Sequence, residues 1–220
     1  MTFPATRLAE RPCILLGAGG HARVLLDVLR FHGATVAGAY DADASLHGGT
    51  LLTVSVVAGD EAALALDPSR VWAVNALASI GPVVARRTLY ERFVAAGFQF
   101  PPLVHPSASV SAFAELAPGA QVLAGAVVGP AAAVGENAIV NTRAIVEHDC
   151  RIAAHVHVAS GATLCGGVSV GPAAHIGAGA IVVQGVSVGA ACLVAAGAVV
   201  VRDVPDGRRV AGVPARECAP

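Results

Sequence analysis

A histidine between two carboxylates is the feature of this sequence best suited to chemistry. Glu147, His148 and Asp149 are consecutive residues. Imidazole titrates near neutral pH, and a neighbouring carboxylate can hold it as a proton acceptor, so His148 is a candidate general base. The alternative is a surface histidine that forms an ion pair with either acid.

A glycine-rich turn near the N-terminus could bind phosphate. Residues 17–22 read Gly-Ala-Gly-Gly-His-Ala, which fits the dinucleotide-binding spacing with Ala in the third position, and Asp41 follows where a ribose-binding acid could lie. The segment before the repeat described below is too short for both halves of a dinucleotide fold. A mononucleotide half that binds the diphosphate of a nucleotide-sugar is therefore favoured. The alternative is that these glycines only permit a tight turn.

The elements around this turn predict an α/β domain with a βαβ unit. We predict strands at residues 13–16, 36–40 and 71–74, and helices at residues 23–31 and 83–96. Gly97 is expected to end the second helix, and Pro101 and Pro102 prevent its continuation. The prediction is a Rossmann-like domain over residues 1–100.

A six-residue repeat fills the second half of the chain. From Val104 to Val200 an aliphatic residue occurs at every sixth position, seventeen times in succession, and a small or modest residue follows each by four positions. A helix would need a period of 3.6 and a strand a period of 2, so a period of six predicts short strands joined by tight corners. Three hexads make one 18-residue coil. We therefore predict a parallel β-helix of five to six coils over residues 104–205, followed by a C-terminal tail at 206–220.

The repeat also predicts where several reactive side chains lie. His148 comes two residues after an inward valine and so lies near a corner of the coil. His157 and His175 are one coil apart and should stack on an outer wall. Cys150 and Cys192 fall on the small inward position, which indicates core residues rather than acyl carriers and favours direct transfer.

Composition excludes several classes of function. A net charge of -1 gives no basic excess for nucleic-acid binding, and all fourteen basic residues are arginine, so no lysine can form a Schiff base with pyridoxal phosphate. Five cysteines without CxxC spacing indicate neither a disulfide framework nor a zinc site, so a cytoplasmic location is expected. The mean hydropathy is +0.68, but Gly and Pro interrupt residues 152–201, and no membrane-spanning segment is expected.

Four motifs together resemble a known family. They are GAGGHARVLLDVLR from Gly17, VHPSA from Val104, EHDC from Glu147 and AGVPAR from Ala211. The chain resembles the sialic acid O-acetyltransferase and UDP-4-amino-sugar N-acetyltransferase family of bacterial glycan synthesis over nearly its whole length. The resemblance implies a left-handed β-helix that holds acetyl-CoA between neighbouring chains of a homotrimer. It also implies an N-terminal domain that holds the nucleotide-sugar.

The resemblance assigns roles to the catalytic and sugar-binding residues. It makes His148 the base and Asp149 the acid that orients it, with Glu147 as a substitute. The sugar-binding residues that it implies are Gly19, Gly20, His21, Asp41, Asp43 and Asn141. Ala42 separates the two acids, which departs from the family pattern and leaves their register open.

The resemblance also places acetyl-CoA. It assigns His157 to the acyl end, and the backbone around Gly166 and Ala178 to the thioester or pantetheine. The amide of Gly166 could stabilise the oxyanion of a tetrahedral intermediate. The alternatives are a wall histidine at His157 and, for Asn141, a corner residue in the left-handed backbone conformation.

We therefore predict an acetyl-CoA-dependent N-acetyltransferase that acts on the amino group of a nucleotide-linked 4-amino-4-deoxy sugar. The partners are the nucleotide-sugar and acetyl-CoA, and no metal is expected. The first alternative is O-acetylation of a sialic-acid-type sugar. An NAD-dependent oxidoreductase and a non-catalytic solenoid are further alternatives, as is a γ-class carbonic anhydrase, although the coil lacks that family's pair of histidines five residues apart.

Overall fold

The computed structural model describes residues 8–78 and 83–218. The chain divides into two compact units. Among the described residues, one unit holds residues 8–78 and 84–101, and the other holds residue 83 and residues 102–218.

The first unit is a five-stranded sheet with helices between its strands. Its elements are β1 Cys13–Leu16, α1 Gly20–Phe31, β2 Val36–Tyr40, β3 Thr50–Leu51, β4 Val54–Ala58, α2 Asp60–Leu64, β5 Trp72–Asn75 and α3 Val84–Ala95. The strand order is β3-β4-β2-β1-β5, and all pairs are parallel except β3 with β4. All four residues of β1 are buried, as expected for a central strand that helices cover.

The predicted elements of this unit are confirmed with small shifts. The strands at 13–16 and 36–40 are as predicted, and β5 lies one residue later than predicted. Helix α1 begins at Gly20 rather than Arg23, because Gly19 takes the extended N-cap conformation and the next residues already coil. Two glycines and a histidine at a helix start give no apolar periodicity from which that first turn could be read.

The second unit is a three-walled parallel β-helix, and its seventeen two-residue strands confirm the predicted repeat. The first wall contains β6 Leu103–Val104, β9 Gln121–Val122, β12 Ile139–Val140, β15 His157–Val158, β18 His175–Ile176 and β21 Leu193–Val194, extended by β23 Arg209–Ala211 and β24 Arg216–Glu217. The second wall contains β7 Ser109–Val110, β10 Val127–Val128, β13 Ile145–Val146, β16 Thr163–Leu164, β19 Ile181–Val182 and β22 Val199–Val200. The third wall contains β8 Glu115–Leu116, β11 Ala133–Val134, β14 Arg151–Ile152, β17 Ser169–Val170 and β20 Ser187–Val188.

Each strand pairs in register with the strand eighteen residues away, as Val128 does with Val146. The aliphatic and small inward residues form one continuous buried core along the coil. Cys150 and Cys192 belong to this core, as predicted, and burial raises the pKa of both thiols. These thiols are protonated at neutral pH and are poor nucleophiles.

The corners between walls form three edges along the coil. We call them the first edge, after first-wall strands, the second edge, after second-wall strands, and the third edge, after third-wall strands. The third residue after each inward aliphatic turns the corner, and on the second edge Asp149 does so with φ 60°. The coils stack so closely that a Cβ on Gly129 would lie 2.7 Å from the backbone nitrogen of His148, so this glycine is required beneath that corner.

None of the helices in the described part of the chain combines the length and hydropathy needed to cross a membrane.

Candidate active site

His148 projects from the second edge, where the chain leaves β13. Its Nδ1 lies 2.8 Å from Oδ2 of Asp149, and both side chains are more than half exposed. Asp149, and not Glu147, is therefore the acid that contacts the imidazole. The left-handed backbone at Asp149 is a conformation that Asp tolerates better than most residues, and it accompanies the turn of its carboxylate towards the ring.

This contact determines which nitrogen of His148 can act as a base. A carboxylate only accepts hydrogen bonds, so Nδ1 of the neutral ring carries the proton. Nε2 then has a free lone pair. The same logic holds a base in place through a third group in many enzymes that activate a nucleophile.

The imidazole of His148 lies against Gly166 on the next coil of the same edge. A methyl group built on Gly166 would overlap Nε2 and lie 2.5 Å from Cε1 of His148. The carbonyl of Gly166 accepts a hydrogen bond from Gly185, whereas its N–H has no partner among the residues that the structure describes. A free donor therefore lies beside the free lone pair of the base.

A second group of polar residues lies on the first wall. The side-chain amide of Asn141 accepts from the Thr142 N–H at 2.7 Å and donates to Nε2 of His157 at 3.0 Å. His157 accepts at Nε2, so it is a neutral ring with its proton on Nδ1. Asn141 does not have the positive φ of a left-handed corner residue, and that alternative is wrong; the left-handed corner residue after β12 is Arg143, with φ 56°.

His175 stacks edge-on against His157, as the repeat predicts. Their ring centroids are 4.9 Å apart with an interplanar angle of 83°. Nδ1 of His175 is buried without a hydrogen-bond partner in the described structure, and burial lowers the pKa of this imidazole. His155 turns away to the third edge, where Nδ2 of Asn137 lies 3.0 Å from its Nδ1.

One chain does not bring these two groups together. In a three-walled coil the second edge lies opposite the first wall, and His157 is on the outside of that wall. His148, Asp149 and Gly166 therefore form one group, and Asn141 with His157 forms another on the far side of the coil. Ala178 belongs to neither group and is exposed on the first edge.

In the first unit, Asp41 closes the glycine turn. Its Oδ2 accepts from the N–H of Ala18 at 2.7 Å and its Oδ1 from the N–H of Asp43 at 2.9 Å, while its carbonyl lies 2.8 Å from Nε2 of His47. Both carboxylate oxygens are thus engaged within the chain. His47 could not be predicted, because its contact depends on a loop conformation after β2.

Some of the residues expected to hold the sugar are already hydrogen-bonded within the chain, and others are exposed. Oδ1 of Asp43 accepts hydrogen bonds from the N–H and hydroxyl of Ser45, which lower the pKa of this exposed carboxyl. Gly19 and Gly20 are exposed, with open space beside them, and no side chain caps the start of α1. His21 is half-buried in the first turn of that helix.

A buried arginine that sequence reasoning missed holds the chain beside the glycine turn. Arg86 of α3 donates from Nη1 to the carbonyls of Asn75 and Leu77, and Nδ2 of Asn75 donates back to the Arg86 carbonyl at 2.8 Å. Burial lowers the pKa of Arg86 to about 9. A Cβ on Gly17 would lie 2.9 Å from Leu77, so this network fixes one side of the turn. A charged residue in a helix is normally exposed, so the burial of Arg86 was not expected. The one sequence feature that points to it is Asn75, a polar residue at the end of an apolar strand.

Among residues 8–78 and 83–218, no three His, Cys, Asp or Glu side chains are grouped so that they could hold a metal ion.

Comparison with solved structures gives matches over nearly the whole chain. A histidine-to-alanine mutant of GDP-perosamine N-acetyltransferase from Caulobacter crescentus, in complex with CoA and GDP-perosamine, matches with a TM-score of 0.88 and 38% identity, covering 95% of this chain and 97% of that one. The acetyltransferase domain of PglB from Neisseria gonorrhoeae, in complex with acetyl coenzyme A, has a TM-score of 0.87 and 36% identity, covering 94% and 99%. WeeI from Acinetobacter baumannii has a TM-score of 0.84 at 24% identity, covering 94% and 100%, and shows the fold alone.

The consecutive parallel strands of the coil fit a left-handed β-helix acetyltransferase. A scan against protein-family models and a search of the curated proteins each gave no significant match. The 38% identity to the Caulobacter enzyme over 97% of its length nevertheless shows more than a shared fold. The chain belongs to the family of bacterial nucleotide-sugar acetyltransferases.

Proposed function

We propose that this protein transfers the acetyl group of acetyl-CoA to the amino group of a nucleotide-linked 4-amino-4-deoxy sugar. The observation that carries the proposal is the His148–Asp149 pair on an exposed edge, with a free Nε2 beside the free N–H of Gly166. The 38% identity to an enzyme bound to CoA and GDP-perosamine supports the substrates.

The geometry supports direct transfer. The sugar amine attacks the thioester carbonyl, and the new C–N bond forms as Nε2 of His148 takes the amine proton. The N–H of Gly166 donates to the oxygen that becomes negative in the tetrahedral intermediate. Collapse of the intermediate breaks the C–S bond, and the CoA thiolate leaves and takes a proton from the imidazolium. Asp149 stabilises the imidazolium between these two proton transfers.

The Rossmann-like first domain, residues 1–100, binds the nucleotide-sugar in this proposal. The carboxyl ends of parallel strands are the usual ligand-binding edge of such a sheet, and the glycine turn follows β1 there. The uncapped start of α1, with Gly19, Gly20 and His21, offers N–H groups to a diphosphate. Asp41 acts in this site by fixing the turn, since both of its oxygens already accept backbone N–H groups.

The coil, residues 104–205, binds acetyl-CoA between chains of a homotrimer in this proposal. Asn141, which hydrogen-bonds the buried His157, and Ala178 on the first edge supply the surface of one chain. His148 with Gly166 supplies that of its neighbour. The position of the two groups on opposite sides of one coil supports a shared site, because a single chain cannot place both against one thioester.

The activity is tested by mass spectrometry of products. The protein is incubated with acetyl-CoA and UDP-, GDP- or dTDP-linked 4-amino sugars, beside free sialic acid. We expect one acetyl group on an amino sugar, and a loss of turnover of about two to four orders of magnitude in His148→Ala with acetyl-CoA binding retained. Near-normal turnover of His148→Ala would remove it from the role of base. Acetylation of sialic acid alone would change the reaction to O-acetylation.

The shared site is tested by mixing two inactive variants. His148→Ala and His157→Ala are co-expressed in equal amounts, so that chains combine at random in trimers. A site that takes its edge from one chain and its wall from the next is then intact in about one quarter of cases, which predicts about a quarter of wild-type activity. No recovery, or a stable active monomer in light scattering, would contradict the shared site.

A further inference from the structure

Arg143 on the first edge and Glu147 on the second edge are charged side chains without a partner in the described chain. Neither the guanidinium nor the carboxylate has a hydrogen bond or an ion pair with any residue that the structure describes. Both residues are exposed, and the second wall separates them on the one chain. Two opposite charges beside the candidate active site are therefore left for contacts outside the chain.

Arg143 turns its corner in a backbone conformation that suits glycine better. Its φ is 56°, and the equivalent corners of four other coils have φ between 66° and 69° and are Gly125, Gly161, Gly179 and Gly197. The left-handed conformation is unfavourable for a residue with a long side chain. A Cβ on Gly125 would lie 3.3 Å from Cγ of Arg143, so the arginine stem extends over the preceding coil. A role of the guanidinium explains the arginine better than the turn does.

The outward side of the second wall indicates which surface packs against sister chains. Its outward residues carry no charge, and they are Ser109, Val127, Ile145, Thr163, Ile181 and Val199. Ile181 is 40% exposed on the single chain. The third wall instead places Glu115 and Arg151 outward, both exposed. Because the cores of interfaces are depleted of charge, the second wall is the one that faces the other chains of the trimer.

Packing through the second wall brings its two flanking edges against neighbouring chains. In a ring of three identical chains, the first edge of one chain then meets the second edge of the next. Rotation about an axis parallel to the coil leaves every residue at its own height. Arg143 and Glu147 are four residues apart in an 18-residue coil that rises about 4.8 Å, so their heights differ by only about 1 Å. The two charges are therefore level with each other across each interface.

The distribution of charge along the two edges supports this pairing. Over the described residues 105–197, the first edge carries no Asp, Glu, Lys or Arg other than Arg143. The acids of the second edge are Glu147, Asp149 and Asp203. Asp149 contacts His148, and Asp203 accepts the N–H of Ser187 three coils away. Glu147 is the carboxylate that remains at the height of Arg143.

We propose that Arg143 forms an ion pair with Glu147 of the partner subunit at each interface of the trimer, and that this pair aligns the shared active site. Asn141 lies two residues before Arg143, and His148 follows Glu147 directly. The pair therefore sets the wall of one chain against the base of the next. Arg143 is a positioning residue in this reaction. This inference rests on the proposed function, because it uses the trimer with shared sites.

The pair is tested by reversing its charges. Light scattering over a series of protein concentrations follows assembly of wild type, Arg143→Glu, Glu147→Arg and the double variant, in the lowest urea concentration that partly dissociates the wild-type trimer. Each single reversal places like charges in contact, so we expect half-dissociation at a protein concentration at least about 10-fold higher. The double variant should return to within about 3-fold of wild type. Arg151→Glu makes the same charge change on the third wall and should assemble like wild type.

Arg143→Gly separates the ion pair from a structural role of the corner. Glycine adopts the left-handed conformation without strain, so the coil itself should not be weakened. If Arg143 only turned the corner, this variant would assemble and react like wild type. The proposal instead predicts a trimer that dissociates more readily and a specific activity that rises with protein concentration. Arg143→Lys keeps the charge and should retain most of the assembly and the activity.

Several results would overturn the proposal. Unchanged assembly in both reversals, or no recovery in the double variant, would remove the ion pair. A wild type that is monomeric at all concentrations would remove the interface itself. A raised KM for the nucleotide-sugar in Arg143→Glu with unchanged assembly would assign the guanidinium to the diphosphate of that substrate.

Failure of the proposed function would give a different result from failure of the ion pair. Assembly is measured without any substrate, so loss and recovery of the trimer support the pair even if wild type transfers no acetyl group. Normal acetyl transfer with no effect of the reversals on assembly would leave the proposed function in place and overturn the pair alone.

Discussion

The contact between His148 and Gly166 can be tested by adding a single methyl group. In Gly166→Ala the new carbon would lie 2.5 Å from Cε1 of the imidazole, whereas carbon atoms in contact are about 3.5 Å apart. The ring must therefore move by about 1 Å. A displacement of that size at a reacting group costs about 100-fold in rate, so kcat should fall by about that factor.

Stability should change little in this variant. Gly166 does not have a positive φ, so alanine is not strained there, and the overlap is with the end of an exposed side chain that can rotate away. Gly167→Ala is the matched control, because its φ is +69° and a Cβ would meet nothing within 4 Å. The control should lose about 1–2 kcal/mol of stability and keep its kcat.

The two variants are compared by steady-state kinetics at saturating substrates and by urea unfolding. We expect low kcat with normal stability in Gly166→Ala, and normal kcat with low stability in Gly167→Ala. Wild-type kcat in Gly166→Ala would refute the reasoning, because it would show that the position of the His148 imidazole against residue 166 does not affect the reaction. Equal loss of stability in both variants would assign any loss of kcat to unfolding instead.

Three further predictions follow from individual contacts. Asp149→Asn should lower kcat by at least about 100-fold with little change in KM, because an amide can donate to Nδ1 and stabilise the wrong tautomer of His148. Burial lowers the pKa of His175 below its usual 6.5, so below pH 6.5 the unfolded chain binds a proton more readily than the folded chain does, and the free energy of unfolding falls as the pH drops. The urea midpoint should therefore fall less between pH 7.5 and pH 5 in His175→Phe than in wild type. Arg86→Met should destabilise the first unit by about 2–5 kcal/mol in urea unfolding, because the buried carbonyl of Asn75 and the half-buried carbonyl of Leu77 lose their donor; an unchanged midpoint would contradict this.

The coil could be predicted because one period specifies both its core and its pairing. The same inward aliphatic residue that sets the six-residue repeat also sets the 18-residue register, as the Val128–Val146 pair shows. The contact of His148 with Asp149 could be predicted for a related reason, since the two are adjacent at a corner. What remained open was which of two neighbouring acids turns towards the ring, and that depends on the left-handed backbone at Asp149.

Contacts between distant parts of the chain could not be predicted in this way. The clamp of Asp41 on Ala18 and the bond of Asn141 to His157 each join residues more than fifteen positions apart through one side-chain rotamer. Neither leaves a periodic trace in the sequence. Arg86 is the extreme case, because its burial depends on three backbone and side-chain partners at once.

The uniform coil also limits how a protein of this kind can change in length. Inserting one residue within a rung would turn the following aliphatic side chains from the core to solvent, whereas inserting eighteen residues adds one coil and preserves every later pairing. Separations along an edge can therefore change only in steps of about 4.8 Å. Evolution of such an edge towards a longer or shorter ligand must proceed by gain or loss of whole coils, or by moving a side chain from one coil to the next.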